Sequence, residues 1–466
     1  MATIKAKELK RIGLADDIAR SLAVGIIAKH CKHKSEQETI QVLSEVVESP
    51  EKYKNDDCWG VLANHLLPDM PIQNHYELRD EALPFDVYGA ANIEELAMKQ
   101  MSMAMRLPVS VAGALMPDGH AGYGLPIGGV LATDGVVIPY AVGLDIACRM
   151  SLTILEDESS FIDKYHDRCV QALTGHTAFG LDAQLDKKQY HEMFDRVDFR
   201  DIPLLKKLRS KAVQQLGSSG KGNHFVDICE VAIDEMNNLG LEAGRYVDIL
   251  SHSGSRGFGA EIAEYYTKVA KDTCKLPREA GPFVWLDINS AAGEEYWHCM
   301  TLAGEYSAVN HQIIHENVAK ALRLKPVINV SNHHNFAWKE ALSNGREVII
   351  HRKGATPAHL GELGIIPGSM ATPGYIVRGL GCEQSLYSAS HGAGRVMSRQ
   401  DARNTFSRHA LKKYLAAQNV ELIGGSTEEA PLAYKNIDMV MSAQKELVDI
   451  EAKIIPTQRN APIRIK

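Results

Sequence analysis

Two textures of apolar residues divide the chain. In the first eighty or so residues Leu14, Ile18, Leu22 and Ile26 recur at every fourth position, and Ile40, Leu43 and Val47 repeat the helical period behind Ser35-x-x-Glu38, the pattern of a reciprocal N-terminal cap. Pro50 cannot continue a helix interior and is expected to stop the second of these helices. Leu67-Pro68-Asp69-Met70-Pro71 reads as a linker. Residues 1–80 are therefore expected to form a small helical N-terminal extension, and residues 81–466 the main domain.

From about Pro84 the helical period gives way to short apolar runs that end abruptly in glycine, histidine and polar residues. Val136–Ile138 leads to Gly143-Leu144-Asp145, Tyr246–Leu250 to Ser251-His252-Ser253-Gly254, and Val327–Val330 to Asn332-His333-His334-Asn335. Val348–Ile350 meets His351-Arg352-Lys353-Gly354, and Tyr375–Val377 is followed, after a loop, by Ser390-His391. Such runs between turn formers are the mark of buried strands. Helical stretches, among them Ala260–Lys271 and the segment after Gly394, separate them, so the fold class is α+β. One strand-end histidine is ordinary; several delivered by successive strands point to a shared centre.

Composition narrows the classes. At 466 residues, 45% hydrophobic and 23% charged, the chain has ordinary globular values that exclude disorder and collagen-like repeats, with room for one to three domains. The N-terminus has no basic segment leading into an apolar stretch, and no later run approaches the roughly 20 apolar residues of a membrane span, so a cytoplasmic protein that makes no membrane contact is expected. Eight cysteines without a Cys-x-x-Cys pair disfavour zinc ribbons and disulfide frameworks. Net charge is -7, yet Lys339 to Lys413 holds eleven Lys or Arg against five Asp or Glu, an excess of six that leaves -13 for the remainder. That segment can face phosphates.

The candidate chemistry follows the glycine turns. Asp145 and Cys148, three residues apart, can point a carboxylate and a thiolate at one metal ion, and one sulfur can bridge two; imidazoles would complete the shells of manganese, zinc or a similar cation. Leu216–Phe225 resembles a phosphate loop but is no Walker motif, since position 215 is Gln215 and Lys221 precedes Gly222; its more specific content is Asn223-His224. His252-Ser253-Gly254-Ser255-Arg256-Gly257 suits a crowded anionic or metal site. Of the tandem His333-His334, only one imidazole can face inward from a strand, and His334 is assigned that place. His311 and His315 have ligand spacing on a helix but lack the Glu of His-Glu-x-x-His and are read as structural. Asp118 and His120 remain open between ligand, substrate contact and turn residue.

Met116–Gly129 (MPDGHAGYGLPIGG), Gly143–Cys148 (GLDIAC), Gly222–Phe225 (GNHF), His252–Gly257 (HSGSRG), Ile366–Met370 (IPGSM) and Ser390–Arg399 (SHGAGRVMSR) resemble, in family order, the motifs of RtcB RNA ligases, from roughly residue 84 to the C-terminus. The resemblance implies an RtcB-like fold with mixed sheets around a metal-lined cleft. It also implies joining of RNA 2′,3′-cyclic phosphate or 3′-phosphate ends to 5′-hydroxyl ends, with GTP and two Mn2+ ions, in RNA repair or tRNA splicing. By motif position, His391 becomes the guanylylated nucleophile, and Asp145, Cys148, His224, His252 and His334 the metal ligands, with Cys148 bridging. Asn223, Asp227, Asn335, Ser369, Gly374, Tyr434 and Lys466 fall at nucleotide-contacting positions. Arg352, Lys353, Arg378, Arg395 and Arg399 in the basic segment, with Arg256, are expected to clamp RNA phosphates. An archease-type activator is a candidate partner.

The chain departs from the family at two guanine-gripping positions: Asp227 stands where many members have Glu, and Gly374 where they have Ser. The loop between roughly 154 and 216 is also shorter. Two other readings therefore stand beside the ligase: a diverged paralogue that transfers nucleotides without sealing or uses another nucleotide, and a non-catalytic RNA-end binder.

Overall fold

Helix formation near the N-terminus follows the capping signals. The computed structural model of the protein describes residues 6–14, 17–31, 35–54, 56–67, 74–423, 425–455 and 463–465 and divides into two units, Met1–Gln73 and Asn74–Lys466. In the first, helices span Ala6–Arg11, Asp17–His30, Glu36–Glu48 and Gly60–Leu66. Ser35 caps the third by accepting from the Glu38 N–H, while the Glu38 carboxylate accepts from the Ser35 N–H at 2.8 Å. Donors that a helix start leaves unpaired are thereby satisfied. The inward stripe is rotated by about one residue from the sequence pattern: Leu14, Ala19, Ala23 and Ile27 are buried with Leu43, Val46, Trp59 and Leu62, whereas Leu22 and Ile26 lie at the margin. Ala19 and Ala23 are fully buried among these larger side chains. The linker read at 67–71 falls, beyond Leu67, outside the described residues.

The second unit is built on two sheets. In the larger, of nine strands, Pro326–His333, Arg149–Glu158, Gly244–Ser253 and Phe225–Ile233 are consecutive antiparallel neighbours, followed by Val448–Ile455, Gly374–Gly379 and Leu363–Ile366. The smaller orders Asn335–Ala341, Glu347–Lys353, Ile127–Thr133, Ser110–His120 and Asp86–Val87. Both faces of the larger sheet are covered. Val226, Ile228, Val247 and Ile249 pack against Ile314 and Val318 of the 32-residue helix Ala291–Leu322, and Leu152, Cys229 and Leu250 against Ile365, Ile376 and Ile454. Burial on both faces is why these strands read as continuous apolar runs rather than alternating ones.

Register then lines up four strand ends. His333 lies opposite Arg149, Arg149 opposite Ser253, and His252 opposite Phe225. Because the strands alternate in direction, the residue entering one strand sits beside the residue leaving the next. Cys148, His224, His252 and His334 therefore fall along one edge of the sheet. His334 is also the single residue through which the chain passes from the larger sheet to the smaller. No helix among the described residues is long and apolar enough to cross a membrane.

Candidate active site

Along that edge, donor atoms close on a common centre. Cys148 Sγ lies 3.3 Å from His224 Nε2 and 3.1 Å from His252 Nε2; His224 Nε2 lies 2.9 Å from Asp145 Oδ2, and His252 Nε2 3.2 Å from His334 Nε2. Two triads result, Asp145–Cys148–His224 and Cys148–His252–His334, and the sulfur belongs to both. His252 Nδ1–H donates to the Asn223 carbonyl at 3.0 Å, which leaves Nε2 unprotonated and aimed inward. Burial, then the neighbouring imidazoles, hold His252 and His334 well below the usual imidazole range, so both present lone pairs. The two Nε2 atoms are close enough for one N–H···N bond, and a cation between them would take a lone pair from each. Burial and the Asp145 carboxylate push the Cys148 thiol well above its usual value, so the thiolate form needs a cation beside the sulfur. The soft sulfur, three imidazoles and one carboxylate fit two borderline divalent ions.

Glycines make room for this crowding. A Cβ at Gly254 would stand 2.1 Å from Asp145 Oδ1, and one at Gly220 2.1 Å from His224 Nδ1. Any larger residue at either place would displace Asp145 or His224 from the cluster.

His391 approaches the second triad, its ring 4.9 Å from that of His334. It follows the Ser388–Ser390 strand, which pairs with Ala355–Pro357. Its Nδ1 lies 2.6 Å from Asp118 Oδ2, and its backbone N–H donates to the same oxygen at 3.2 Å. A carboxylate only accepts, so Nδ1 carries a proton and Nε2 is the atom that bears the lone pair of the neutral ring. Asp118 is fully buried within the Ser110–His120 strand, whose flanking carbonyls, those of Pro117 and Gly119, are held by Lys435 Nζ at 3.1 and 2.7 Å. His391 and both triads line one cleft of about 640 Å3.

A family model described as tRNA-splicing ligase RtcB matches residues 100–198 and 183–459. The RNA-splicing ligases RtcB1 and RtcB of two Escherichia coli strains are each 32% identical to this chain over 389 residues, covering 77% of it and 92% of the relative. The tRNA-splicing ligase RtcB of Archaeoglobus fulgidus is 31% identical over 425 residues, covering 75% and 87%. This chain belongs to the RtcB family. The matched RtcB segments lie within the second unit, and the convergence of Asp145, Cys148, His224, His252, His334 and His391 is the geometry on which the scattered RtcB motifs meet.

Of the other RtcB positions, Asn223, Asn335, Ser369, Tyr434, Arg256, Arg395 and Arg399 line the same cleft. Asn335 braces the loop that carries Asp145 by donating to the Asp145 carbonyl at 3.3 Å. Arg395 lies over the Tyr434 ring, 5.1 Å from its centre, and Arg399 donates to Asn223 Oδ1 at 3.0 Å. Asp227 and Gly374 line a smaller cleft that shares Pro367–Met370 with the first. Lys466 lies outside the described residues.

Three expected phosphate clamps are placed otherwise. The run read as ending at Ile350 continues as a strand through Lys353, paired on both sides, so His351, Arg352 and Lys353 are buried in the smaller sheet. Arg352 is 0% exposed, bound to Glu340 at 2.6 and 3.2 Å and stacked on Trp338. Lys353 donates to the carbonyls of Tyr123 and Tyr140, and burial lowers it to about 8. Arg378 is bound to Glu451 and to the carbonyls of Gly361 and Asn238. None of the three lines the cleft.

The Arg352–Glu340 pair has its own consequence. Burial alone would raise the Glu340 carboxyl, but its contacts with His359 and Arg352 hold it down to about 2. Because the folded value lies below the ordinary 4.5, this stabilisation is complete above 4.5 and is lost as pH falls toward 2. Glu340→Gln should therefore cost about 3 kcal/mol at neutral pH, since it strands a buried guanidinium. Urea unfolding should show the gap from wild type closing across that acid range.

His311 and His315 are core residues. His311 Nε2–H donates to the Ser253 carbonyl at 3.2 Å, its Nδ1 accepts from Ser251 at 2.6 Å, and Ser251 accepts from His315 Nε2–H at 2.6 Å. His315 Nδ1 accepts from Thr153 at 2.6 Å and closes the chain of bonds. Asp118, which spacing left open, is the carboxylate that meets His391. Its signal was an aspartate inside an otherwise apolar strand, where an unpaired carboxylate is costly. His120 lines the cleft beside it, its Nδ1 bonded to the Asp118 carbonyl at 2.9 Å.

Proposed function

We propose that the protein is a manganese- and GTP-dependent ligase, acting in the cytoplasm in RNA repair or tRNA splicing, that joins RNA 2′,3′-cyclic phosphate or 3′-phosphate ends to 5′-hydroxyl ends. The observation that carries this reading is a histidine with a fixed Nδ1–H and a free Nε2 standing beside two triads that share one sulfur. Its relatives' names, RNA-splicing and tRNA-splicing ligase, supply the substrate class. Two Mn2+ ions held by Asp145, Cys148 and His224 and by Cys148, His252 and His334 would neutralise phosphate charge next to the nucleophile.

The chain's own groups supply the rest. Asp118 holds the His391 ring so that Nε2 attacks the α-phosphorus of GTP; the N–P bond forms as the bond to pyrophosphate breaks. An oxygen of the RNA 3′-phosphate then attacks that phosphorus, the N–P bond breaks, and His391 returns to neutrality. The 5′-hydroxyl attacks the activated RNA phosphate, GMP leaves, and a phosphodiester remains; a cyclic phosphate is first opened by water. Arg256, Arg395 and Arg399 bind phosphates, while Asn223, Asn335, Ser369 and Tyr434 hold the nucleotide with its base toward Asp227 and Gly374.

The test is to supply Mn2+ with α-labelled GTP or ATP, then RNA bearing 3′-phosphate and 5′-hydroxyl ends. Acid-labile label from GTP together with joined RNA is expected. Label without joining would favour an end-capping paralogue, which the altered residues of the smaller cleft also support; no label from either nucleotide would reject both. Asp118→Asn should slow labelling by about 10^2- to 10^4-fold, since an amide can stabilise the wrong tautomer. Single-turnover labelling measures this, with Mn2+ uptake expected to be unchanged.

A further inference from the structure

The basic segment has an outer part that the cleft does not use. Between Arg395 and Lys413 the sequence carries six Lys or Arg and one Asp, an excess of five positive charges in a chain of net charge -7. Arg395 and Arg399 line the cleft. The cations that follow lie on the helices Arg399–Thr405 and Arg408–Ala417. The second helix buries Leu411 and Leu415 against Met370, Val420 and Ala430, and Met370 itself lines the cleft, so the helix is anchored on the cleft wall.

Its outer side exposes Arg408, His409, Lys412 and Lys413. Arg403 is half exposed and partly neutralised by Glu428 at 2.6 Å, whereas among the described residues Arg408 reaches only the Gly425 carbonyl, at 3.4 Å. Among the described residues Lys412 and Lys413 hold no ion pair. Arg399 with Arg403, and Arg408 with Lys412, are each four residues apart on a helix, a rise of about 6 Å. That step is comparable with the separation of successive phosphates along one strand. A helix face kept soluble by charge alone mixes both signs; the second helix carries a single sign, and the first, with Asp401 as its one acidic residue, connects it to the cleft through Arg399.

We infer that the outer faces of these two helices form a phosphate-tracking surface that holds the body of the RNA beyond the ends being joined. The inference rests on the RNA-ligase reading and adds where the substrate lies outside the cleft. Such a surface reads backbone charge and not sequence, so its contribution falls steeply with salt.

The experiment uses the full chain carrying Arg408→Gln, Lys412→Gln and Lys413→Gln together. Two substrates are compared, a pair of short single-stranded oligonucleotides and a pair of RNA halves with long base-paired stems, both with 3′-phosphate and 5′-hydroxyl ends. For the stemmed RNA, KM should rise about tenfold or more, and the slope of log affinity against log salt should flatten by about 2. Covalent labelling by GTP and joining of the short pair should be unchanged. A variant of equal net charge, Lys268→Gln with Lys271→Gln and Lys445→Gln, should behave as wild type; an equal rise in KM there would overturn the inference. Wild-type KM and salt slope in the first variant would also overturn it and leave the face to an acidic protein partner. If unaltered protein joins neither pair, it is the ligase reading that fails.

Discussion

Protein carrying His391→Ala should take up no covalent nucleotide and join no RNA, a loss on the order of 10^4-fold or more. No neighbouring imidazole can replace it. The Nε2 atoms of His224 and His252 face Cys148 at 3.3 and 3.1 Å, and that of His334 faces His252 at 3.2 Å. His120 lines the cleft with its Nδ1 on the Asp118 carbonyl, but among the described residues it makes no ring contact with a triad histidine, as His391 does with His334. Mn2+ uptake should survive the substitution, because His391 belongs to neither triad. The measurement is acid-labile label from α-labelled GTP alongside Mn2+ stoichiometry. Equal labelling of variant and wild type would remove His391 from the chemistry.

Cys148→Ala should abolish uptake of both ions, whereas Asp145→Asn or His334→Ala should spare the triad that does not include the altered residue. The asymmetry follows from position. Cys148 is the member common to both triads, and its removal leaves two pairs of donors, Asp145 with His224 and His252 with His334. Changing a group that merely orients a ligand costs about 10- to 100-fold in metal affinity, so loss of a shared ligand should exceed that for each ion. Cys148→Ser should not rescue it, since an alcohol is a harder and much less acidic donor than a thiol. Mn2+ titration followed by electron paramagnetic resonance distinguishes the cases; retention of two tightly bound ions in Cys148→Ala would break the assignment.

Much of the centre was legible because its residues stand where strands meet glycine turns. Asp145, Cys148, His252, His334 and His391 follow apolar runs that stop and His224 a glycine-rich loop, and the fold brings all six into one cleft. What could not be read was which way a cation points within a strand. Arg352 and Lys353 carry the same charge as Arg395 and Arg399, yet the strand through 347–353 lies between two others and turns them inward. The partners that neutralise the interior cations, Glu340 for Arg352 and Glu451 for Arg378, sit on neighbouring strands, and only pairing register reveals them. The contact of Asp118 with His391 spans 273 residues and is likewise a product of tertiary packing. In the N-terminal unit the helical period was plain, but the inner face used alanines that a search for large apolar residues passes over.

The strand Gly244–Ser253 shows what such a centre demands of its scaffold. His252 faces the sulfur while Ser251, on the other side of the pleat, meets His311 and His315. The strand thus carries two messages in alternate letters, one addressed to the reaction and one to the core. A change of letter damages one message; a gained or lost letter exchanges them. In this protein, counting residues is as much a part of the chemistry as choosing them.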